Sequence, residues 1–329
     1  MSALSPTLQS FFVDRLSGQR DASPNTVAGY RDTFRLLLAF AANRTSKAPN
    51  DLDLGDLDAP LVASFLDHLE RHRNNSVRTR NNRLAAIHSL FVWAALRHPE
   101  HAASIQRVLA IPAKRFERSL VTWLTDEEVD VLVGCCDRTN WTGRRDHTLL
   151  VLAVQTGLRI SELVGLTCGD IVIGTGANVH CVGKGRKERR TPLLPLTVRL
   201  LRAWLAERNG SPLQPLFPTA AGNPLSRDAI EHRLALYALR AGEKRPSIRA
   251  KRLSAHTLRH TATMRLLLSG VDVTVIALWL GHQQVSTTDI YLHADMSQKE
   301  RAIARTTPVA TKPGRYHPPD AMLTFLESL

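Results

Sequence analysis

One stretch breaks the helical rhythm of this chain. From Ala177 to Pro195, "ANVHCVGKGRKERRTPLLP" sets two β-prone arms on either side of the turn "GKGRK", the pattern of a β-hairpin. Around it, apolar residues recur at helical spacing. In the first third, "LSPTLQSFFVDRL", "SPNTVAGYRDTFRLLLAFAANR", "APLVASFLDHLERHR" and "SVRTRNNRLAAIHSLFVWAALRHP" form a four-helix set. The second of these opens on a Ser-Pro start signal. A basic, polar stretch around Pro112, "IPAKRFERSLV", reads as a linker. After it, Thr125 and Glu128 in "TDEE" form a capping box. Helices and loops then alternate, with the hairpin among them. The expected fold is mainly α with a small β-sheet or hairpin. Its parts are an N-terminal helical domain (1–112), a linker (113–122), an α+β domain (123–310) and a C-terminal tail or helix (311–329).

At 329 residues the chain holds two cores comfortably. Its longest apolar runs stop well short of the ~18 residues of a membrane span, and "MSALSPTLQSFFVDRL" lacks a secretory pattern. Four cysteines without a CxxC pair suit a reduced compartment and give no zinc signature. The reading is therefore cytoplasmic, with no membrane. A formal charge of +13 points to a polyanion, most simply nucleic acid. With only 5% aromatic residues for base stacking, a phosphate-tracking binder of double-stranded DNA is favoured. Residues 1–117 carry +4 and residues 118–329 carry +9, which suits a clamp with two basic surfaces.

The chain has four tyrosines, and Tyr291 in "STTDIYLHAD" raises the question of chemistry. Tyr30 and Tyr237 fall in long helices with core-like periodicity, and Tyr316 lies in a Pro/Gly-rich tail. A phenol with a pKa near ~10 is a weak nucleophile. To attack a phosphodiester it needs cations for the non-bridging oxygens and an acid for the departing 5′-oxygen. The second domain contains such groups. Arg159 follows the Gly157 break in "TGLRISELVGL". His256 and Arg259, three apart in "HTLRHT", share a helical face. Lys184 sits in the "GKGRK" turn, with Lys187 its competitor as the acid. His282 follows the Gly281 helix stop, nine residues before Tyr291. His256 and His260 have zinc-binding spacing, but no HExxH glutamate or third ligand accompanies them, so no metal and no cofactor are expected.

Five blocks in order, "TGLRISEL", "GKGRKERRTPL", "HTLRHT", "LGH" and "STTDIYLH", resemble the catalytic blocks of the tyrosine recombinase (phage integrase) family. More weakly, "SPNTVAGYRDTFRLLLAF" and "RTRNNRLAAIHSLF" resemble its SAM-like helical core-binding domain. The resemblance implies that Arg159 and Arg259 bind the scissile phosphate and that Lys184 protonates the leaving group. It implies that His256 assists proton transfer, His282 hydrogen-bonds the phosphate, and Tyr291 forms a 3′-phosphotyrosyl bond. Glu162 matches an acidic position that orients active-site groups. The resemblance further implies a homotetramer, or a hetero-assembly with other recombinases, exchanging strands between two duplexes for a mobile element (transposition) or chromosome maintenance. Such assemblies often dock a C-terminal helix on a neighbour, and "AMLTFLESL" and "SQKERAIARTT" both qualify as that helix or as one packed on its own core. Two other readings share the DNA substrate: a type IB topoisomerase, and a DNA-binding accessory protein that has lost catalysis. Candidate DNA contacts are Arg78, Arg80 and Arg83, and in the hairpin Arg186, Lys187 and Arg189; a solvated helix start is the bland alternative for the first three.

Overall fold

The computed structural model of the chain describes residues 4–116, 121–183 and 187–281. These fall into two compact units, divided between 118 and 119.

The first unit is helical. α1 (Leu4–Ser10) runs on into a wider π-helical stretch, Phe11–Gln19. α2 (Pro24–Thr45) begins where the Ser23 hydroxyl accepts from Thr26 N, with Pro24 in the first turn, where its missing N–H costs nothing. α3 (Ala59–Arg71) and α4 (Val77–Ala95) start on Asp58 and Ser76, each accepting from the backbone N–H three residues on. A fifth helix, α5 (Ala102–Leu109), extends the expected set of four. It is short, but Ile105 and Val108 lie on one face and are buried. The core gathers Phe11, Leu37, Phe65, Leu90, Phe91 and Val108 from these helices. Tyr30 stacks on Phe11, with ring planes 7° apart. The chain beyond α5 stays tied to α4: Arg80 donates to Pro112 O, and Asn81 exchanges hydrogen bonds with the backbone of Lys114.

The second unit surrounds α7 (Trp141–Thr156), which packs against α6 (Asp126–Gly134), α9 (Pro195–Arg208) and α11 (Ala255–Leu268). α6 opens on the Thr125–Glu128 capping box. Glu128 also accepts from Ser247 and Lys251, so the cap is a buried polar joint. α8 (Ile160–Gly165), α10 (Arg227–Lys244) and α12 (Val273–Leu280) complete the described helices.

The hairpin arms form β2 (Asn178–Val182) and β3 (Glu188–Pro192), and a two-residue β1 (Ile171–Val172) adds a third antiparallel strand in the order β1-β2-β3. Cys181 pairs with Arg189 and Val179 with Thr191. Cys181, Val179 and Thr191 are buried, so Arg189 lies on the sheet's inward face. Gly183 N donates to Lys187 O and closes the hairpin below its tip.

Tyr237 is 6% exposed and its hydroxyl donates to Asp146, which also holds Arg145 and Arg233. Burial and the neighbouring carboxylate push that phenol's pKa up, so it is a packing residue. All four cysteines are free and buried. Among the described residues, no helix is long and apolar enough to cross a membrane.

Candidate active site

Two stretches about a hundred residues apart in sequence, 156–162 and 259–281, meet at two helix ends. α7 stops at Gly157, whose φ of +65° is the left-handed conformation that glycine adopts without strain. α12 stops in the same way at Gly281, with φ of +64°. Each end presents backbone carbonyls that no longer have helical partners. Arg259, in the second turn of α11, takes one from each: Nη1 donates to Gly157 O at 2.6 Å and Nη2 to Leu280 O at 2.8 Å. Arg159, at the start of α8, donates from Nη2 to the next carbonyl, Gly281 O, at 3.3 Å. The two guanidiniums therefore converge on consecutive carbonyls. Trp279 adds a further tie across the same junction, donating from Nε1 to Thr156 O.

Burial differs between the two arginines. Arg259 is 3% exposed, whereas the Arg159 side chain is 31% exposed. Arg259 thus lies at the floor and Arg159 at the rim. A Cβ on Gly157 would sit 2.7 Å from Leu280 Cδ2 and 3.2 Å from Ala262 Cβ, so the close approach of α7, α11 and α12 requires glycine there.

Glu162 holds Arg159 by two routes. Its Oε2 accepts from Arg159 N at 2.7 Å and its Oε1 from Arg159 Nη1 at 2.9 Å. The same carboxylate receives both terminal nitrogens of Arg189, at 2.9 and 2.7 Å. Burial acts to raise the Glu162 pKa, but hydrogen bonds from Arg189 and the Arg159 backbone outweigh it and hold the carboxyl below its ordinary range. The expected role of Arg189 as a DNA contact is corrected here. Its side chain is 11% exposed and turned into the protein, because β3 alternates and Arg189 shares the buried face with Thr191.

His256 stands in the first turn of α11, exposed, and its ring meets that of His260 edge to face at 4.3 Å. Loss of surrounding water lowers its pKa, and the Arg259 and Arg159 charges lower it further. The imidazole is therefore electrostatically coupled to both guanidiniums. Lys187 is exposed just past the hairpin tip. Lys184, Arg186, His282 and Tyr291 lie outside the described residues.

In the first unit the basic run divides. Arg78 is exposed, with its guanidinium 5.3 Å from the Phe116 ring. Arg83 is half-buried, and its Nε and Nη1 have no hydrogen-bond partner. Arg80 is 5% exposed and bound to Pro112 O and Asn81 Oδ1. It is a structural tie, not a DNA contact, because it precedes Leu84 and Ile87 on the core-facing side of α4. The helical period of the sequence carries that signal.

The model of the phage integrase family matches residues 122–298, and that of the phage integrase N-terminal SAM-like domain matches residues 10–98. The chain is 52% identical over 328 residues to "Putative integrase/recombinase y4rC" of Sinorhizobium fredii, covering 100% of this chain and 99% of that protein. It is 32% identical over 294 residues to tyrosine recombinase XerD of Yersinia pestis, covering 86% and 91% of the two chains. Its fold is similar to that of the Tn1549 transposon integrase in complex with transposon right end DNA, with a TM-score of 0.69 at 16% identity over 91% of this chain and 98% of that one. XerH recombinase bound to its difH substrate gives 0.64 at 23% identity over 90% and 84%.

Proposed function

The chain belongs to the phage integrase family of tyrosine recombinases, which are site-specific DNA recombinases, and from that premise we propose that it cuts and rejoins double-stranded DNA through a 3′-phosphotyrosyl bond on Tyr291. The observation that carries this reading is the convergence of Arg159 and Arg259 on the consecutive carbonyls of Gly281 and Leu280.

Attack on a phosphodiester concentrates negative charge on the non-bridging oxygens, and fixed cations stabilise it most where water is excluded. Arg259 supplies a buried positive charge from the floor of the site. Arg159 has five N–H groups, of which hydrogen bonds to Glu162 and Gly281 O engage two, leaving others at the rim for a phosphate oxygen. A guanidinium matches that geometry in bidentate fashion. The Tyr291 oxygen attacks phosphorus, its proton passing to a base, and the P–O5′ bond breaks. Lys184 protonates the departing 5′-oxygen, His256 assists proton transfer and His282 donates to the phosphate. Attack by a 5′-hydroxyl of the partner strand reverses these steps, so joining requires neither nucleotide nor metal.

Exchange between two duplexes calls for a tetramer of this chain or an assembly with sister recombinases. A role in moving a genetic element is supported by the full-length likeness to a protein named as an integrase/recombinase. Arg78 and Arg83 are the proposed duplex contacts of the first unit, and Arg186 and Lys187 those of the hairpin.

The test is a nicked suicide duplex carrying the element's own end sequences. Wild type should form a protein–DNA adduct resistant to denaturation, and Tyr291→Phe should bind the duplex equally and form none. An adduct that persists in Tyr291→Phe refutes the nucleophile, and no adduct in wild type refutes the catalytic reading.

A further inference from the structure

The buried pair between Arg189 and Glu162 has no assigned part in the phosphate chemistry, yet Glu162 also holds Arg159. Glu162 is 3% exposed at its side chain and accepts four hydrogen bonds, two from Arg189 and two from Arg159. Opposite charges in such a site attract strongly. A lone Glu162–Arg159 pair would be neutral, and the carboxylate would compete with a phosphate for the same guanidinium. With Arg189 added, one carboxylate faces two guanidiniums and a full positive charge remains.

Geometry restricts Arg189 to this partner. Its two terminal nitrogens are both committed to Glu162, and its Nε is buried without a partner. Glycines close over it from two sides. A Cβ on Gly281 would lie 3.1 Å from Arg189 Nη1, and one on Gly183 would lie 3.3 Å from the same atom and 3.2 Å from Glu162 Oε1. Gly183 closes the hairpin and Gly281 caps α12, so the guanidinium is wedged between the sheet and the helix end that Arg159 also holds.

We propose that Arg189 is a positioning residue that neutralises Glu162, so that Glu162 orients Arg159 while leaving that arginine's charge available to the DNA phosphate. The proposal rests on the recombinase reading for its substrate. In this role Arg189 acts through Glu162, to which both of its terminal nitrogens donate.

The mechanism makes a signed prediction for paired substitutions. Arg189→Met removes the charge while keeping most of the volume. Glu162, left facing Arg159 alone, should draw it from the phosphate. Adduct formation on the nicked duplex at saturating protein should slow by roughly tenfold to a hundredfold, on the scale of losing one transition-state cation, with duplex affinity changed less than about threefold. Adding Glu162→Gln to that variant removes the competitor and should restore at least about tenfold of the lost rate, a coupling expected of groups in direct contact. Arg189→Lys, which keeps the charge and loses the fork, should fall between wild type and Arg189→Met. A double variant no faster than Arg189→Met overturns the proposal, because a direct action of Arg189 on the phosphate predicts no rescue.

A second readout works without catalysis: binding of inorganic phosphate followed through the Arg159 Nε–H resonance. Arg189→Met should weaken it and Glu162→Gln should restore it. Unchanged phosphate affinity in Arg189→Met overturns the proposal. Phosphate binding that obeys this pattern in a protein forming no Tyr291 adduct would leave Arg189's role standing and refute the recombination chemistry alone.

Discussion

Gly157→Ala tests the idea that the site is assembled by a helix end that only glycine can make. The left-handed φ of +65° costs an L-residue about 1–2 kcal/mol. The added methyl would lie 2.7 Å from Leu280 Cδ2 and 3.2 Å from Ala262 Cβ. Leu280 is fully buried and Ala262 nearly so, so neither yields freely, and overpacking of this kind costs about 1–3 kcal/mol. Together these give a destabilisation of about 2–5 kcal/mol. For a unit of this size each kcal/mol lowers Tm by about 2–4 °C, so thermal unfolding followed by circular dichroism should show a drop of roughly 4–20 °C. The same change displaces Gly157 O, which Arg259 holds at 2.6 Å. Adduct formation measured well below the melting range should therefore fall further than the unfolded fraction explains. A Tm within about 1 °C of wild type, or full activity in the folded variant, would refute this account of the junction.

Other consequences are equally open to measurement. Burial tends to raise the Glu128 pKa, but hydrogen bonds from Lys251, Ser247 and Thr125 leave it lowered overall. Its contribution to stability is therefore present above the unfolded carboxylate pKa and lost as pH falls through the lower folded value. Glu128→Gln should cost about 1–3 kcal/mol near neutrality and should flatten the acid limb of the Tm–pH curve; a limb as steep as wild type would sink this. The His256 ring should titrate with an NMR midpoint below the ordinary 6.5, and Arg159→Ala should move that midpoint upward by removing a nearby cation. An unshifted midpoint would break the claimed coupling. Arg78→Gln with Arg83→Gln should reduce the slope of log affinity against log salt by about 0.9 for each DNA phosphate no longer neutralised. Arg80→Met should instead lower Tm and leave that slope alone; an equal reduction of slope would mean Arg80 does reach DNA.

Most of the fold follows from local rules. The Ser23 start, the Thr125–Glu128 box and the glycine stops at Gly157 and Gly281 each depend on neighbours within a few residues, so the sequence displays them directly. α5 and β1 escape a sequence reading because eight and two residues are too short to show a period. Arg159, His256 and Arg259 are identifiable as candidates, but their meeting point on the α7 and α12 ends depends on packing between segments more than a hundred residues apart. Arg80 and Arg189 mislead for a different reason. Charge alone makes both members of basic runs. The period of four from Arg80 to Leu84, and the period of two from Arg189 to Thr191, place them on inward faces instead. Alternation outranks charge where a partner waits inside, and for Arg189 that partner, Glu162, lies 27 residues earlier in the chain.

The four cysteines have a practical consequence. All are buried, and burial is the leading cause that pushes the Cys136 thiol to about 12 and the Cys181 thiol to about 11, with Cys168 raised as well. Electrophilic dyes attack the thiolate, so slow reaction of the folded chain with maleimide is the expected outcome, checked by labelling before and after denaturation. A single cysteine introduced at Leu213, which is 90% exposed, would give one dominant labelling site on the second unit. Assembly on DNA could then be counted one fluorophore at a time, in a protein whose interior is otherwise untouched.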